Sequence, residues 1–446
     1  MRQARPGPLL AGARSRLQIA ALVVLTLWAA VLWAALAPDV PPASEQSAAA
    51  QPKAMRLVVA AGQSAPGGGA FERFDVAAQP VAAPVNADGR VAFYASLVRT
   101  NAREGIFLST GARTLKVAAL GDPVPGGGTL SEFAKHPLPA LNDAGKVAFG
   151  AAIAGARASE GVFLADNGSL KGLALSGSEA PGIISGTFVE FDLPALNNLD
   201  DVVFLATVRR GRETLPVLYL WSNGRLRKLV AAGDLAPGGG TFAQFGVPAI
   251  NNKGLVAFPA TVERGKVLGG LFLAGTVSTR LLVGAGETAP NGAMLTRFSE
   301  RIALSDTDTI AFGAHLGTGT RAEGVFTANP VTGVTQVAIV GDAAPGGGRF
   351  AGFGPWPTIS ADGALAFMAG LDEGPGPLGL YVTGESGLSR IAMIGDRLPE
   401  ARTLATFALN PVAMIGANGA VTFATMGDGD SSPSGIYYFG PPPKGD

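Results

Sequence analysis

Apolar residues follow two regimes along this chain. One is a single unbroken run, Leu17 to Ala37, 21 residues without a charge. The other starts near Met55 and consists of short apolar clusters cut apart by Gly, Pro, Asn and Asp. The long run predicts a helix; short clusters bounded by turn residues predict β-strands. In Val147-Ala-Phe-Gly-Ala-Ala-Ile153 one face presents Val147, Phe149, Ala151 and Ile153, and the other presents Ala148, Gly150 and Ala152. Both faces are apolar, so the predicted strand is covered on both sides, large residues against the small ones of a neighbouring sheet.

The clusters repeat. A Gly, usually followed by an acid and then by Pro and glycines, recurs at Gly62, Gly121, Gly177, Gly233, Gly286, Gly341 and Gly395, with spacings of 59, 56, 56, 53, 55 and 54 residues. Such a period marks a repeat architecture. Each copy carries a tight turn, at Asn86/Gly89, Asn142/Gly145, Asn197/Asp200, Asn251/Gly254, Ser305/Asp308, Ser360/Gly363 and Gly416/Gly419. A Phe follows four residues later, from Phe93 to Phe423. The spacing suits a type I turn followed by a residue at positive φ, a role that Asp fills better than most residues when Gly is absent.

Each copy predicts four strands. The first, ending at the turn, carries Pro139, Pro194, Pro248 or Pro357 in four copies, and Pro lacks the N–H that a central strand donates. It is therefore an edge, the strand lining a central channel. The second follows the turn, the third resembles Gly105-Ile-Phe-Leu108, and the fourth runs into the next Gly, as in Leu115 to Leu120. Four short antiparallel strands per copy predict an all-β, seven-bladed β-propeller. Met55 to Ala61 matches a fourth strand and Gly435 to Phe439 a third, so the N-terminal strand should pair in the last blade and close the ring.

The run at Leu17 to Ala37 is long enough to span a bilayer, and Arg2, Arg5, Arg14 and Arg16 precede it. The positive-inside rule then keeps residues 1–16 cytoplasmic and exports everything after the span. The expected organisation is a basic N-terminus (1–16), a transmembrane signal-anchor helix (17–37), a Pro/Ala/Ser-rich linker (38–54), the propeller (55–440) and a tail (441–446). A cleaved signal peptide ending near Ala37 or Ala50, giving a periplasmic or secreted protein, is the competing reading; Pro38 opposes the first of these sites.

Hallmark residues NADGRVAF (86 to 93), NDAGKVAF (142 to 149) and NNKGLVAF (251 to 258) resemble the tandem-repeat family named for its N-x-x-G-x-x-A-F hairpin, found in exported bacterial proteins. The resemblance covers Met55 to Phe439 and implies a propeller-like repeat with no known activity and no catalytic residues to carry over. Members often bear a C-terminal surface anchor; this chain ends in GPPPKGD, leaving the N-terminal span as the expected anchor. Neither the Trp-Asp signature of WD40 repeats nor a kelch signature recurs.

Chemistry is sparse. There is no Cys, and 34 acids balance 34 Lys and Arg, which gives no support to a nucleic-acid role. His136 and His315 are the only histidines, too few for a multi-His zinc site. The Pro-Gly-Gly-Gly loops lead into strands rather than a helix N-terminus and read as crossings between blades, not phosphate cradles. Asp122, Asp234, Glu287, Asp342 and Asp396 follow the repeat Gly, but Gln63 and Ser178 interrupt the series, so capping of their own turns is favoured over a Ca²⁺ ring. No cofactor is expected.

Variation concentrates between the second and third strands. Blades one to four place Arg99, Arg103, Arg157, Arg209, Arg210, Arg212, Arg264 and Lys266 there, blade five His315, and blades six and seven Asp372, Glu373, Asp428 and Asp430. Function tends to sit on loops held by a rigid scaffold, so this charge-lopsided face is the candidate binding surface. The leading expectation is a monomeric, membrane-tethered binding propeller for a protein or polysaccharide. The alternative is a carbohydrate-active hydrolase or lyase, which needs two carboxylates facing each other at the channel mouth.

Overall fold

The computed structural model of the chain describes residues 53–75, 79–133, 137–317, 323–427 and 433–444. Residues 52–446 form one compact unit. The predicted span at 17–37 and its flanks lie outside the described residues, as do His136, Asp428 and Asp430. No helix among the described residues is long and apolar enough to cross a membrane.

Seven antiparallel sheets follow one another, each built around four strand positions. In blade four the second strand, Val256–Glu263, pairs with the third, Gly269–Ala274, which pairs with the fourth, Thr279–Gly284. The innermost position differs from the single strand that the sequence predicts. It is split into Thr241–Phe245, which pairs with the far end of the second strand, and Ala249–Ile250, which pairs with the near end. Pro248 sits in the gap, and Pro139, Pro194 and Pro357 likewise directly precede two-residue strands. Pro cannot donate to the ladder there, but the split does not depend on it, since blade five breaks between Leu295–Phe298 and Ala303–Leu304 with Ile302 in the same position. In blade four Val247 N–H donates to Glu300 O of the next blade at 2.8 Å.

The ring closes as expected. Ala54–Ala60 pairs with Gly435–Gly440, so one strand from each end of the propeller completes blade seven. The tail tightens this seam. Lys444 N–H donates to Asp88 O at 2.9 Å, its Nζ pairs with the Asp88 carboxylate at 3.0 Å, and Tyr438 Oη donates to Pro441 O at 2.7 Å. Pro443 lies so close to Gly111 that a Cβ there would meet its ring at 2.7 Å.

Second strands are buried on both faces. Val147, Phe149, Ala151 and Ile153 pack with Ala92, Tyr94, Ile106 and Leu108 of blade one, whereas Ala148 packs with Phe204 and Tyr219 of blade three. The small face of a blade meets aromatic rings of the next, and the large face meets both small and large side chains of the preceding one, filling the interior at close to crystal density. Within a blade the aromatic rings cluster: Phe258 stacks on Phe272 at 5.7 Å and meets Phe242 and Phe245 edge-on or tilted at 5.9 and 5.8 Å. The channel is filled in part by Ala82, Leu138 and Val412, packed with Leu193, Trp356 and Met414.

All seven turn positions that the sequence marks have positive φ, from 63° at Asp200 and Asp308 to 106° at Gly363. The Asn that opens four of the seven turns does more than cap its own turn. Asn197 Oδ1 accepts from the N–H groups of Leu199 and Asp201 at 3.0 and 2.9 Å, while its Nδ2 donates to Asn251 O of the next blade at 3.0 Å. Asn86, Asn142 and Asn251 repeat this cross-blade bond at 3.1, 3.2 and 3.0 Å, and all four are buried. A second belt joins the next residues: Asp143, Asn198, Asn252 and Asp306 each accept from a backbone N–H of the preceding blade at 2.7 to 2.8 Å. Ser305, Ser360 and Gly416 carry no amide to continue the ladder. Blades five to seven use other links, such as Thr358 Oγ1 donating to Ala413 O at 2.8 Å.

Candidate functional site

Two faces result from this topology. The Asn-x-x-Gly turns and the hairpins between third and fourth strands share one, here the turn face. Crossing loops and the loops between second and third strands share the other: Gly126 and Gly127 line the same cavity as Ala156 and Arg157.

The crossing loops behave as spacers. Gly126, Gly127 and Gly128 all have positive φ and lead into the strand Thr129–Glu132. At the equivalent Gly240 a Cβ would lie 2.4 Å from Glu263 O, so the third glycine is needed for close approach. The acids after the repeat Gly accept from backbone N–H groups three residues earlier: Asp122 from Ala119 at 2.8 Å, Asp234 from Ala231 at 2.9 Å, Glu287 from Gly284 at 2.7 Å, Asp342 from Ile339 at 3.1 Å and Asp396 from Met393 at 2.8 Å. They cap their turns, and among the described residues no cluster of His, Asp and Glu could hold a metal ion.

The charged candidates are spread around the ring rather than gathered. Arg99, Arg103, Arg157, Arg264, Lys266 and Glu373 do stand on the loops, with Arg99, Arg264 and Glu373 at positive φ. Arg212 lies in the two-residue turn of a long hairpin. Arg209, Arg210 and Asp372 instead end second strands, because those strands run further than the apolar pattern shows. Arg210 faces Glu213 at 3.6 Å, both largely exposed. His315 is also inside a strand, Ile310–Leu316, and not at a loop opening. Its Nε2 accepts from Arg297 Nη2 at 3.0 Å, an arginine being able only to donate.

A groove of about 530 Å³ opens between blades four and five beside the channel. Its apolar wall comes from Phe245, Pro259, Leu268 and Phe298, and its polar groups include Asp192, Gln244, Arg297 and Glu300. The split innermost strand lines it: Gly246 N–H still donates to Pro259 O of the second strand at 2.9 Å, whereas Val247 N–H turns to Glu300 O of the next blade at 2.8 Å. An apolar wall with a few convergent polar groups is the usual make-up of a small-molecule site. Two acids of different blades, Asp192 and Glu300, thus line one cavity, a pairing that spacing within a copy does not disclose.

The turn face has a cleft of about 410 Å³ between blades two and three, lined by Lys146, Asp166, Lys171, Asp200, Trp221 and Asn223. Its charges are already engaged. Lys146 Nζ pairs with Asp200 at 2.7 Å and Asp166 at 3.1 Å, and the hydrogen bonds to Asp200 and then Asp166 hold its ammonium above the ordinary lysine range. Lys171 sits 4.7 Å over the Trp221 ring. The sequence signal for this cluster is the Asp that replaces Gly at position 200, next to the copy bearing Lys146.

Solved structures with similar folds include an oligogalacturonate lyase in complex with manganese (TM-score 0.47, 12% identity, 88% of this chain and 97% of that one). Others are the polysaccharide lyase Uly1 (0.43, 10%, 85% and 92%) and a fungal lectin from Aleuria aurantia (0.34, 13%, 73% and 96%). At such identities the likeness concerns the fold and not the chemistry. No curated protein matches the chain in sequence. A family match does cover nearly the whole described region, residues 48–268 and 269–443, and on it this chain belongs to DUF7453, a family of unknown function.

Proposed function

We propose that this protein is a binding propeller of the cell envelope, tethered to the cytoplasmic membrane by residues 17–37, that holds a polysaccharide or protein partner on its loop face. The N-x-x-G-x-x-A-F hairpins support placing it among exported repeat proteins. One observation carries the binding reading: the groove between blades four and five, where Gln244, Arg297 and Glu300 project beside an apolar wall. A pocket of that volume suits one or two sugar rings, and the arginines of the surrounding loops suit steering of a larger acidic partner.

The full chain, applied to a glycan array, is expected to retain a restricted set of saccharides and to lose them in Arg297→Ala and Gln244→Ala. Binding that survives both substitutions, or an array with no retained saccharide, contradicts the groove. A second reading, glycoside hydrolysis or elimination, draws on Asp192 and Glu300 lining one cavity. Release of new reducing ends from a retained saccharide, abolished by Glu300→Gln and by Asp192→Asn, favours that reading. A stable complex without turnover favours the binding protein.

A further inference from the structure

One position near the start of the third strand keeps the same register in every blade. Its backbone O accepts from the residue after the fourth strand, as when Ser176 N–H donates to Glu160 O at 2.9 Å and Ala285 N–H to Gly269 O at 2.8 Å. In blades one, two and five the position holds Glu104, Glu160 and Glu323. Their carboxylates reach the next blade and accept from the N–H groups of Phe133, Phe191 and Phe353 at 2.9, 2.7 and 3.0 Å. Blades three, six and seven place Pro216, Leu378 and Ser434 there. Blade four alone places a glycine, Gly269, and so leaves the position without a side chain.

The carboxylate is gone but the donor remains. Phe298 of blade five is the counterpart of Phe191 and Phe353: it lies opposite Ala314, and Ser299 N–H donates to Gly313 O at 2.9 Å. That pattern marks a pair that exchanges no ladder bonds, so the Phe298 N–H points out of its own sheet. Phe298 and Gly269 both line the groove. The equivalent junction of blades two and three, lined by Glu160 and Phe191, keeps only about 10 Å³, against about 530 Å³ beside Gly269. Charge differs between the two junctions in a matching sense. Glu132 and Glu190 precede Phe133 and Phe191, whereas Gln244 and Arg297 precede Phe245 and Phe298. A place that holds a carboxylate in the company of two acids suits one better beside an amide and a guanidinium. Asp192 and Glu300 also line the groove and repel each added charge, which favours a single carboxylate over a dianion such as phosphate. Resting on the saccharide-binding role proposed above, we propose that the groove takes a carboxylate-bearing sugar. Its carboxylate accepts from the Phe298 N–H, as the chain's own glutamates do in three sister junctions, and its ring lies against Phe245 and Pro259.

Calorimetric titration of the full chain with glucuronate, glucose and inorganic phosphate at matched ionic strength tests this. Glucuronate is expected to bind at least about tenfold more tightly than glucose or phosphate, the worth of one hydrogen bond to a charged group. Gly269→Glu supplies the carboxylate from the chain itself. The backbone there is outside the left-handed region, and a Cβ would come no nearer than 3.2 Å, to Ala260 O. This variant should lose at least about tenfold in glucuronate affinity. Without ligand it should also melt above Gly269→Ala, which adds a side chain but no acceptor and should keep the native preference for glucuronate. Glucuronate affinity unchanged in Gly269→Glu overturns the proposal, as does a Gly269→Glu melting temperature no higher than that of Gly269→Ala. Equal binding of glucose and glucuronate by the native chain overturns the carboxylate site while leaving the groove as a saccharide site. Absence of binding by every probe overturns the carboxylate site too, and the array then decides whether the groove binds other saccharides.

Discussion

The two faces of the propeller use the same side-chain types for different ends. On the turn face of blades one to four the turn side chains are engaged by a neighbouring blade: Asn86, Asn142, Asn197 and Asn251 form a buried ladder, and Asp143, Asn198, Asn252 and Asp306 a second belt beside it. On the loop face the rim arginines stand on separate loops, while Glu104, Glu160 and Glu323 accept from the N–H groups of Phe133, Phe191 and Phe353 of the next blade. Agreement between copies therefore marks where the ring is held together. Disagreement is concentrated in the loops between second and third strands.

The largest expected effect comes from breaking the ladder. Asn197→Ala removes an acceptor for two N–H groups and a donor to Asn251 O, leaving buried groups unmet, and should cost about 2 to 4 kcal/mol in denaturant unfolding. Truncation after Gly440 removes the tail across the seam between blades seven and one. With two hydrogen bonds and an exposed ion pair lost, a decrease of about 1 to 2 kcal/mol is expected in the same assay. Gly254→Ala should cost about 1 kcal/mol through backbone strain alone, since φ is 75° and a Cβ would meet only Asp201 Oδ2 at 3.8 Å.

Lys146 gives a pH signature. Its pKa is raised in the folded chain by hydrogen bonds to Asp200 and Asp166, so its stabilisation is complete below the ordinary lysine value of about 10.4 and is lost as pH rises through the raised value. Because the ion pairs are partly solvated, the loss should be a few tenths of a kcal/mol, and Lys146→Met should abolish that pH-dependent component. The smallest change in stability, under about 0.5 kcal/mol, is expected when Arg209, Arg210 and Arg212 on the loop face are all reversed to Glu. Binding of an acidic saccharide polymer should weaken in that variant; unchanged binding would remove this hairpin from the proposed surface.

Much of the fold was legible in the chain because the rules involved are local and recur. Positive φ at the fourth turn residue, including Asp200 and Asp308, follows from Asn-to-Gly spacing. Ring closure follows from the strands left over at the two ends. What stayed hidden depends on how one blade faces the next. The amide of each turn Asn looks like a local cap in sequence, and nothing in one copy reveals that it donates to its counterpart in the following blade. For the same reason the groove could not be located: Asp192, Gln244 and Glu300 come from three different copies. The misplacement of Arg209, Arg210, Asp372 and His315 has a simpler cause. Second strands extend past their apolar part with polar residues still in the ladder, as His315 paired with Glu323 illustrates.

Hydrogen exchange of the full native chain, read by mass spectrometry, tests the contrast between the faces most directly. Amides of Ala87, Asp143, Asn198 and Asn252, held by side chains of the following blade, should exchange only with global opening of the ring. Those of the loops at 99–103, 155–159 and 264–268 should exchange orders of magnitude faster, except where a turn bond holds them. Turn-face amides that exchange as fast as the loops would contradict the account.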